Sequence, residues 1–119
     1  MKNAQFESFL QIAGNIAVAA LLCGTAAASA AATDTVVDQR GLRFSQQSVS
    51  IKAGDTLHFH NNDDVIHNIM VLDADDEATD EGLQKPGEVI TAKFEQAGEY
   101  QVRCAIHPKM KMTVSVGAP

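Results

Sequence analysis

The C-terminal part of the chain carries three side chains with metal-binding donor atoms, Cys104, His107 and Met110, within seven residues. A second imidazole, His67, stands much earlier in the sequence. Two imidazoles, one thiolate and a weakly bound axial thioether are the donors that hold copper in a trigonal site. A fold that uses all four donors must therefore bring the middle of the chain beside this C-terminal loop.

The first thirty or so residues differ in composition from the rest of the 119-residue chain. A mostly apolar stretch covers residues 12–22, and small residues follow at 26–32. Small residues three and one positions before a break suit signal peptidase, so Ala28-Ser29-Ala30 predicts a signal peptide of residues 1–30. A cut as late as residue 32 fits the same run. We expect export to the periplasm and one domain over residues 33–119.

Two other interpretations of this segment are weaker. A lipoprotein anchor needs a small residue just before the cysteine, yet Leu22 precedes Cys23. An uncleaved membrane helix needs roughly 20 predominantly apolar residues, and Asn15, Thr25 and Ser29 weaken this span. We therefore expect no stable membrane insertion once the leader has been removed.

Removal of the leader takes away Cys23 and leaves Cys104 as the only thiol. An unpaired thiol in an oxidising compartment is a liability unless something occupies it, and metal ligation does so. A buried, inert cysteine is the alternative. The nearby imidazole and thioether favour metal binding.

The formal net charge is −6, and the leader removes one charge of each sign, so the mature domain keeps this value. An acidic balance argues against nucleic acid as a partner. The acidic residues between positions 73 and 81 could steer a basic protein partner through their charge. A merely solvated loop is the alternative.

No helical period persists after the leader. Short alternating runs are separated by turn residues at intervals of about 8–12 residues, which is typical of a β-sandwich or barrel. The predicted strands cover residues 35–40, 48–52, 56–61, 67–72, 89–94, 99–104 and 111–116. Residues 73–83 are predicted to be an irregular insertion with a helical turn at most. Seven short strands predict an all-β sandwich of two packed antiparallel sheets.

Side chains two residues apart point to the same face of a strand. This period places Cys104 on the inward face of one strand and Met110 on the inward face of the next, with His107 in the loop between them. His58 and His60 are predicted to face outward, where they could bind a second metal ion or simply be exposed. The other side chains predicted to face inward are Leu57, Phe59, Tyr100, Val102, Met112, Val114 and Val116.

Met110 and Met112 both qualify as the axial donor by residue type. A ligand at Met110 leaves six residues, up to Val116, for a closing strand with alternate side chains in the core. A ligand at Met112 would shorten that strand nearly to the chain end. We therefore favour Met110 as the ligand and expect Met112 in the core.

Over nearly all its length, the mature chain resembles the cupredoxins, the small blue-copper electron carriers. The resemblance rests on Gly54-Asp55-Thr56, His67-Asn68, Gly98-Glu99-Tyr100 and the loop from Cys104 to Met110, in that order. The short Cys-x2-His-x2-Met spacing is similar to that of amicyanin, whereas the plastocyanin loop is longer. The loop and residues 38–51 also resemble cupredoxins linked to methylamine utilisation.

This resemblance implies a Greek-key sandwich with one type 1 copper ion at one end, cycling between Cu(I) and Cu(II). It implies His67, Cys104, His107 and Met110 as the ligands, and an amine dehydrogenase and a c-type cytochrome as redox partners. It also implies that Asn68 ties the strand of His67 to the cysteine loop by hydrogen bonds. We expect a monomer that is not an enzyme.

A periplasmic copper-binding or trafficking protein without rapid electron transfer is the second interpretation, because it would use the same four ligands. An enzyme is weaker, since a Cys–His hydrolase would leave His67 and Met110 without a role. A structural zinc site usually needs more cysteine and histidine residues in paired spacing. The sequence therefore predicts a single-electron carrier.

Overall fold

The computed structural model describes residues 23–119, so most of the predicted leader lies outside the described residues. The described part contains eight strands: β1 (Asp34–Gln39), β2 (Ser48–Lys52), β3 (Thr56–Asn61), β4 (His67–Leu72), β5 (Ala78–Gln84), β6 (Val89–Lys93), β7 (Gly98–Arg103) and β8 (Lys111–Gly117). Within residues 23–119, no helix has the length and apolar character needed to cross a membrane.

The strands form two sheets, one with the order β1-β3-β6 and one with the order β2-β8-β7-β4-β5. The predicted all-β Greek-key sandwich is confirmed. Two pairs, β1 with β3 and β2 with β8, are parallel, so the prediction of antiparallel sheets is wrong at these two pairs. Parallel neighbours need a crossover connection, and β2, which belongs to the other sheet, is the crossover between β1 and β3.

The prediction of an irregular insertion over residues 73–83 is wrong, because β5 occupies most of it. β5 pairs antiparallel with β4 at the edge of the larger sheet, with a bulge between Ile69 and Met70. Its residues do not alternate between apolar and polar, and all but two are exposed. Charged, exposed residues are typical of edge strands, which need no apolar face to be held by backbone pairing. Because the residues of β5 lack an apolar alternation, the sequence pattern did not predict this strand.

The inward-facing side chains were predicted correctly from the two-residue period. Tyr100 is half-buried and packs against the core. The other eight, Leu57, Phe59, Val102, Cys104, Met110, Met112, Val114 and Val116, are at most 5% exposed. They form one cluster with Phe44 and Phe94 between the sheets. Each fully buried large apolar side chain contributes about 1.5–3 kcal/mol to folding, so this cluster anchors the strands that carry the donors.

Strand direction and register bring four loops to one end of the sandwich. Gln39 pairs with Asn61, His67 with Gln84, and Arg103 with Lys111, so each of these strand pairs ends there. We call this the site end, formed by the loops of residues 40–47, 62–66, 85–88 and 104–110. The far end is formed by residues 53–55, 73–77 and 94–97.

Candidate metal centre

Three of the four predicted donors meet at the site end. His67 is the first residue of β4, Cys104 directly follows β7, and His107 lies in the loop before β8. The Nδ1 atoms of the two histidines are 3.1 Å apart. The Sγ atom of Cys104 lies 3.9 Å from Nδ1 of His67 and 3.7 Å from Nδ1 of His107. The folded chain thus brings an imidazole from its middle beside the C-terminal loop.

The three donor atoms surround a space that fits one metal ion. A point equidistant from them lies about 2.1 Å from each atom, and bonds from a first-row metal such as zinc to imidazole and thiolate measure about 2.0–2.3 Å. His67 and Cys104 are 0% and 1% exposed, whereas His107 is only half-buried. Two of the three donors are therefore closed off from solvent, and His107 is the one that is partly accessible.

Met110 closes the loop that carries Cys104 and His107. Its N–H donates to the carbonyl of His107 at 2.8 Å, and its carbonyl accepts from the N–H of Cys104 at 3.1 Å. The side chain is 1% exposed. Met112 pairs with Val102 within the sheet and is part of the core. Of the two methionines, Met110 is therefore the one bound through its backbone to the residues that carry the other loop donors.

Asp63 orients His67 and was not among the site residues predicted from the sequence. Oδ2 of Asp63 lies 2.7 Å from Nε2 of His67. The same carboxylate accepts the backbone N–H groups of Gly41 at 2.5 Å and Leu42 at 3.0 Å. Because a carboxylate only accepts, Nε2 carries the hydrogen and Nδ1 keeps its lone pair for a metal. The only signal in the sequence was the position of Asp63, four residues before the candidate ligand His67, in a polar run between two predicted strands.

Partial burial acts to raise the pKa of Asp63, but the hydrogen bonds from His67, Leu42 and Gly41 outweigh it. The net result is a pKa below the usual range for an aspartate. Asp63 is therefore an anion at neutral pH. Its charge lies beside the imidazole that would share positive charge with a bound metal ion.

A buried amide network holds the loop that carries Asp63. Asn61 accepts the N–H of Asp63 at 3.0 Å and donates to the carbonyls of Val65 at 2.9 Å and Gln84 at 3.0 Å. The Gln84 side chain donates to two backbone carbonyls and accepts from Gln39 at 2.5 Å. All three amide side chains are 0% exposed. These bonds use every polar side-chain atom of the three amides except Oε1 of Gln39, which has no hydrogen-bond partner, and they give the loop a defined position relative to β4.

Asn68 connects the strand of His67 with the cysteine loop, as predicted. Its side-chain oxygen accepts the N–H of Ala105 at 2.7 Å, and its own N–H donates to Sγ of Cys104 at 3.3 Å. Its Nδ2 donates to Oδ1 of Asp80 at 2.8 Å. Asp80 belongs to the acidic run, so this member of the run holds the site together and is not merely solvated. Pro108, also in the loop, has no N–H to donate.

The second metal site considered for His58 and His60 gains no support. Nδ1 of His58 lies 3.0 Å from Oγ1 of Thr91, and its Nε2 lies 3.4 Å from a carboxylate oxygen of Asp34. Among residues 23–119, the group of His67, Cys104 and His107 is the only cluster of three or more histidine, cysteine or acidic donors.

Comparisons with known proteins agree with this geometry. Residues 31–117 match the family described as copper binding proteins, plastocyanin/azurin family. The chain is 36% identical to a chloroplast plastocyanin of Tetradesmus obliquus over 113 residues, which covers 88% of this chain and 77% of that protein. It is 29% identical to the methylamine utilization protein MauL of Methylorubrum extorquens over 89 residues, covering 75% and 78%.

The structure is also similar to that of amicyanin from Paracoccus versutus. The TM-score is 0.65 with 26% identity, and the match covers 74% of this chain and 85% of that chain. The expected cupredoxin family and the expected relatives of the amicyanin and methylamine-utilisation kinds are confirmed; plastocyanin, whose loop was described above as longer, is a relative as well. The cofactor that fits the donor set and these relatives is one type 1 copper ion.

Proposed function

Because the chain belongs to the plastocyanin/azurin family of copper-binding proteins, we propose that it carries single electrons between redox proteins. The observation that supports this most strongly is the convergence of one Sγ and two Nδ1 atoms around a space of metal-ion size. We assign His67, Cys104 and His107 as the three close ligands and Met110 as the axial ligand. When bound, copper supplies a one-electron redox change, and this mixed donor set suits both of its oxidation states.

The contribution of the protein is to fix the positions of the donor side chains relative to one another. Asp63 fixes His67, Asn68 fixes the cysteine loop, and the backbone of Met110 closes that loop. Each contact joins segments that are distant in the sequence or closes a turn, so the donors move as one rigid unit. A site that keeps its shape when the metal changes charge exchanges electrons with little reorganisation.

His107 is the route by which we propose that electrons enter and leave. His67 and Cys104 are buried, so His107 is the one imidazole ligand that reaches towards the surface. Its neighbours Ile106 and Pro108 are exposed. A partner that contacts this surface approaches the metal more closely than one docked elsewhere.

Burial of the donors favours a carrier over the trafficking alternative. A protein that hands copper to another protein must let incoming ligands reach the ion. Here the thiolate and one imidazole are closed off, and a buried carboxylate and an asparagine hold their positions. We therefore retain electron transfer, rather than delivery of copper or an enzymatic reaction, as the function.

We further propose that residues 1–30, or up to 32, are a leader that is removed on export, and that residues 33–119 act in the periplasm as a monomer. The apolar stretch and the small residues before the cut support this. The similarity to a methylamine utilization protein supports an amine dehydrogenase as electron donor. We propose a c-type cytochrome as the acceptor.

The proposal is tested by adding Cu(II) to the mature protein and recording optical and paramagnetic resonance spectra with voltammetry. We expect a strong thiolate-to-copper band near roughly 600 nm and a reversible one-electron wave. Cys104→Ser and His67→Gln should abolish the band, whereas the control His60→Gln, on β3, should keep it. Colourless Cu(I) binding with ready transfer to a chelator would contradict the carrier function.

A further inference from the structure

Positive charge is concentrated at the site end, although the protein as a whole is acidic. Six of the eight basic side chains in residues 23–119 lie in or directly beside the site-end loops: Arg40, Arg43, Lys85, Arg103, Lys109 and Lys111. The other two, Lys52 and Lys93, end strands at the far end. The members of the acidic run that precede β5, Asp73, Asp75, Asp76 and Glu77, also lie at the far end.

Apart from the exposed Asp64 in the loop of residues 62–66, the carboxylates that remain at the site end are engaged. Asp63 binds His67 and two backbone N–H groups. Asp38 accepts from Asn62, and Glu88 accepts from the backbone N–H of Lys85. No corresponding hydrogen bond to a side chain occupies Arg43 or Lys109 within the described residues. The two cations are exposed and free to meet a partner.

The surface next to His107 combines an apolar centre with a basic rim. A groove runs between the loop of residues 41–43 and the loop of residues 106–109. Its apolar side chains, Leu42 and Ile106, are each 48% exposed. Its two charged side chains, Arg43 and Lys109, are both basic, and no carboxylate lines it. Exposed apolar side chains grouped inside a polar rim are typical of docking surfaces.

We propose that this groove docks a redox protein whose own contact face carries carboxylates around an apolar centre. The proposal rests on the proposed function, since it names the kind of partner that exchanges electrons through His107. Matching an apolar centre to an apolar centre brings the partner's redox group towards His107. Matching carboxylates to Arg43 and Lys109 sets its orientation and speeds its approach.

The distance between the two ends explains why the net negative charge of the protein does not dominate the electrostatic potential at this groove. β4 has six residues and leads from the site end towards the far end, a length of about 20 Å at roughly 3.3 Å per residue. The Debye length at physiological ionic strength is about 8 Å. The far-end carboxylates are therefore screened from a partner at His107, whereas the charges of Arg43 and Lys109 act at contact.

The test compares two double variants of the copper-loaded protein that change net charge equally. Arg43→Gln/Lys109→Gln removes the two rim cations, and Lys52→Gln/Lys93→Gln removes two cations at the far end. The probe is hexacyanoferrate(II), an anion that gives one electron to Cu(II) and becomes hexacyanoferrate(III). Near physiological ionic strength we expect the rim variant to react about three- to tenfold more slowly and the far-end variant to change less than twofold.

A second small reductant and two cytochromes of opposite surface charge test the same proposal independently. The cation hexaammineruthenium(II) should react faster with the rim variant than with the unmodified protein. A c-type cytochrome with carboxylates around its haem edge should exchange electrons faster than one with lysines there. Equal effects of the two double variants, or preference for the lysine-rich cytochrome, would overturn the proposal.

Failure of the proposed function would look different. An unmodified protein without the thiolate band, or without exchange with either small reductant, would contradict electron transfer itself. The band of each variant is recorded first to establish copper loading. The single variants Arg43→Gln and Lys109→Gln repeat the measurement, so that poor loading of the double variant does not decide the outcome.

Discussion

Nε2 of His67 donates a hydrogen bond to the carboxylate of Asp63 at 2.7 Å, and both side chains are almost completely buried. The two residues are four positions apart and belong to different elements, a loop and the start of β4. The contact fixes which ring nitrogen of His67 is free, and it places a negative charge behind a proposed copper ligand. Its consequence is measurable in the redox potential.

Asp63→Asn should weaken copper binding and raise the redox potential. The amide keeps one acceptor oxygen for His67 but removes the charge that favours Cu(II) over Cu(I). Loss of such a partner lowers metal affinity about 10–100-fold, and each tenfold loss of preference for Cu(II) raises a one-electron potential by about 59 mV. Voltammetry and competition with a chelator measure both effects. Asp64→Asn, the exposed neighbouring acid, is the control, and equal shifts in the two variants would contradict the role of Asp63.

Asn68→Ala should loosen the cysteine loop. The substitution leaves the N–H of Ala105 and the carboxylate of Asp80 without their present partner. A fully buried donor left unpaired costs about 1–3 kcal/mol. The bond to Ala105 is only partly buried, so urea unfolding of the metal-free protein should show a loss near the lower end of that range. The thiolate band should also shift or broaden after copper is added. Asn62→Ala, which removes an exposed hydrogen bond to Asp38, serves as the control, and a stability loss as large as that of Asn68→Ala would argue against a specific role for Asn68.

Substitution by leucine distinguishes the two methionines. Met110→Leu should change the potential and the absorption spectrum, because it removes the proposed axial thioether. Met112→Leu nearly conserves volume in the core, so it should cost less than about 1.5 kcal/mol and leave the spectrum unchanged. If Met110→Leu retains the spectrum and potential of the unmodified protein, the assignment of the axial ligand fails.

The features predicted well from the sequence are those that depend on the alternation of inward and outward side chains within one strand. The inward direction of Cys104 and Met110 follows from the two-residue repeat of β7 and β8, and both side chains are buried. Asn68 was anticipated through its place beside His67 in a familiar motif. These inferences need no knowledge of which strands are neighbours.

The features that were missed depend on neighbours that are distant in the sequence. β5 exists because its backbone pairs with β4, and its exposed residues carry no apolar alternation. The carboxylate of Asp63 that binds His67 is also held by Gly41 and Leu42, from another loop. Both residues adopt a positive φ, 61° and 58°, a conformation that leucine seldom adopts. No local pattern predicts such a contact.

Asp55 should make the stability of the fold depend on pH. Its carboxylate accepts the N–H of Thr33 at 2.8 Å and that of Lys52 at 2.9 Å, and these bonds, in that order, hold the pKa of Asp55 below its usual value. A pKa that is lower in the folded state adds stability above the unfolded value of about 3.9, and this contribution disappears as the pH falls through the folded pKa. Asp55→Asn should therefore lower the urea midpoint clearly at pH 7, and the difference from the unmodified protein should shrink below about pH 3.9. Asp75→Asn, in the exposed turn before β5, removes one carboxylate from the same end and should leave the midpoint nearly unchanged at both pH values. A deficit of Asp55→Asn that stays constant between neutral and acidic pH would show that its charge contributes nothing to stability.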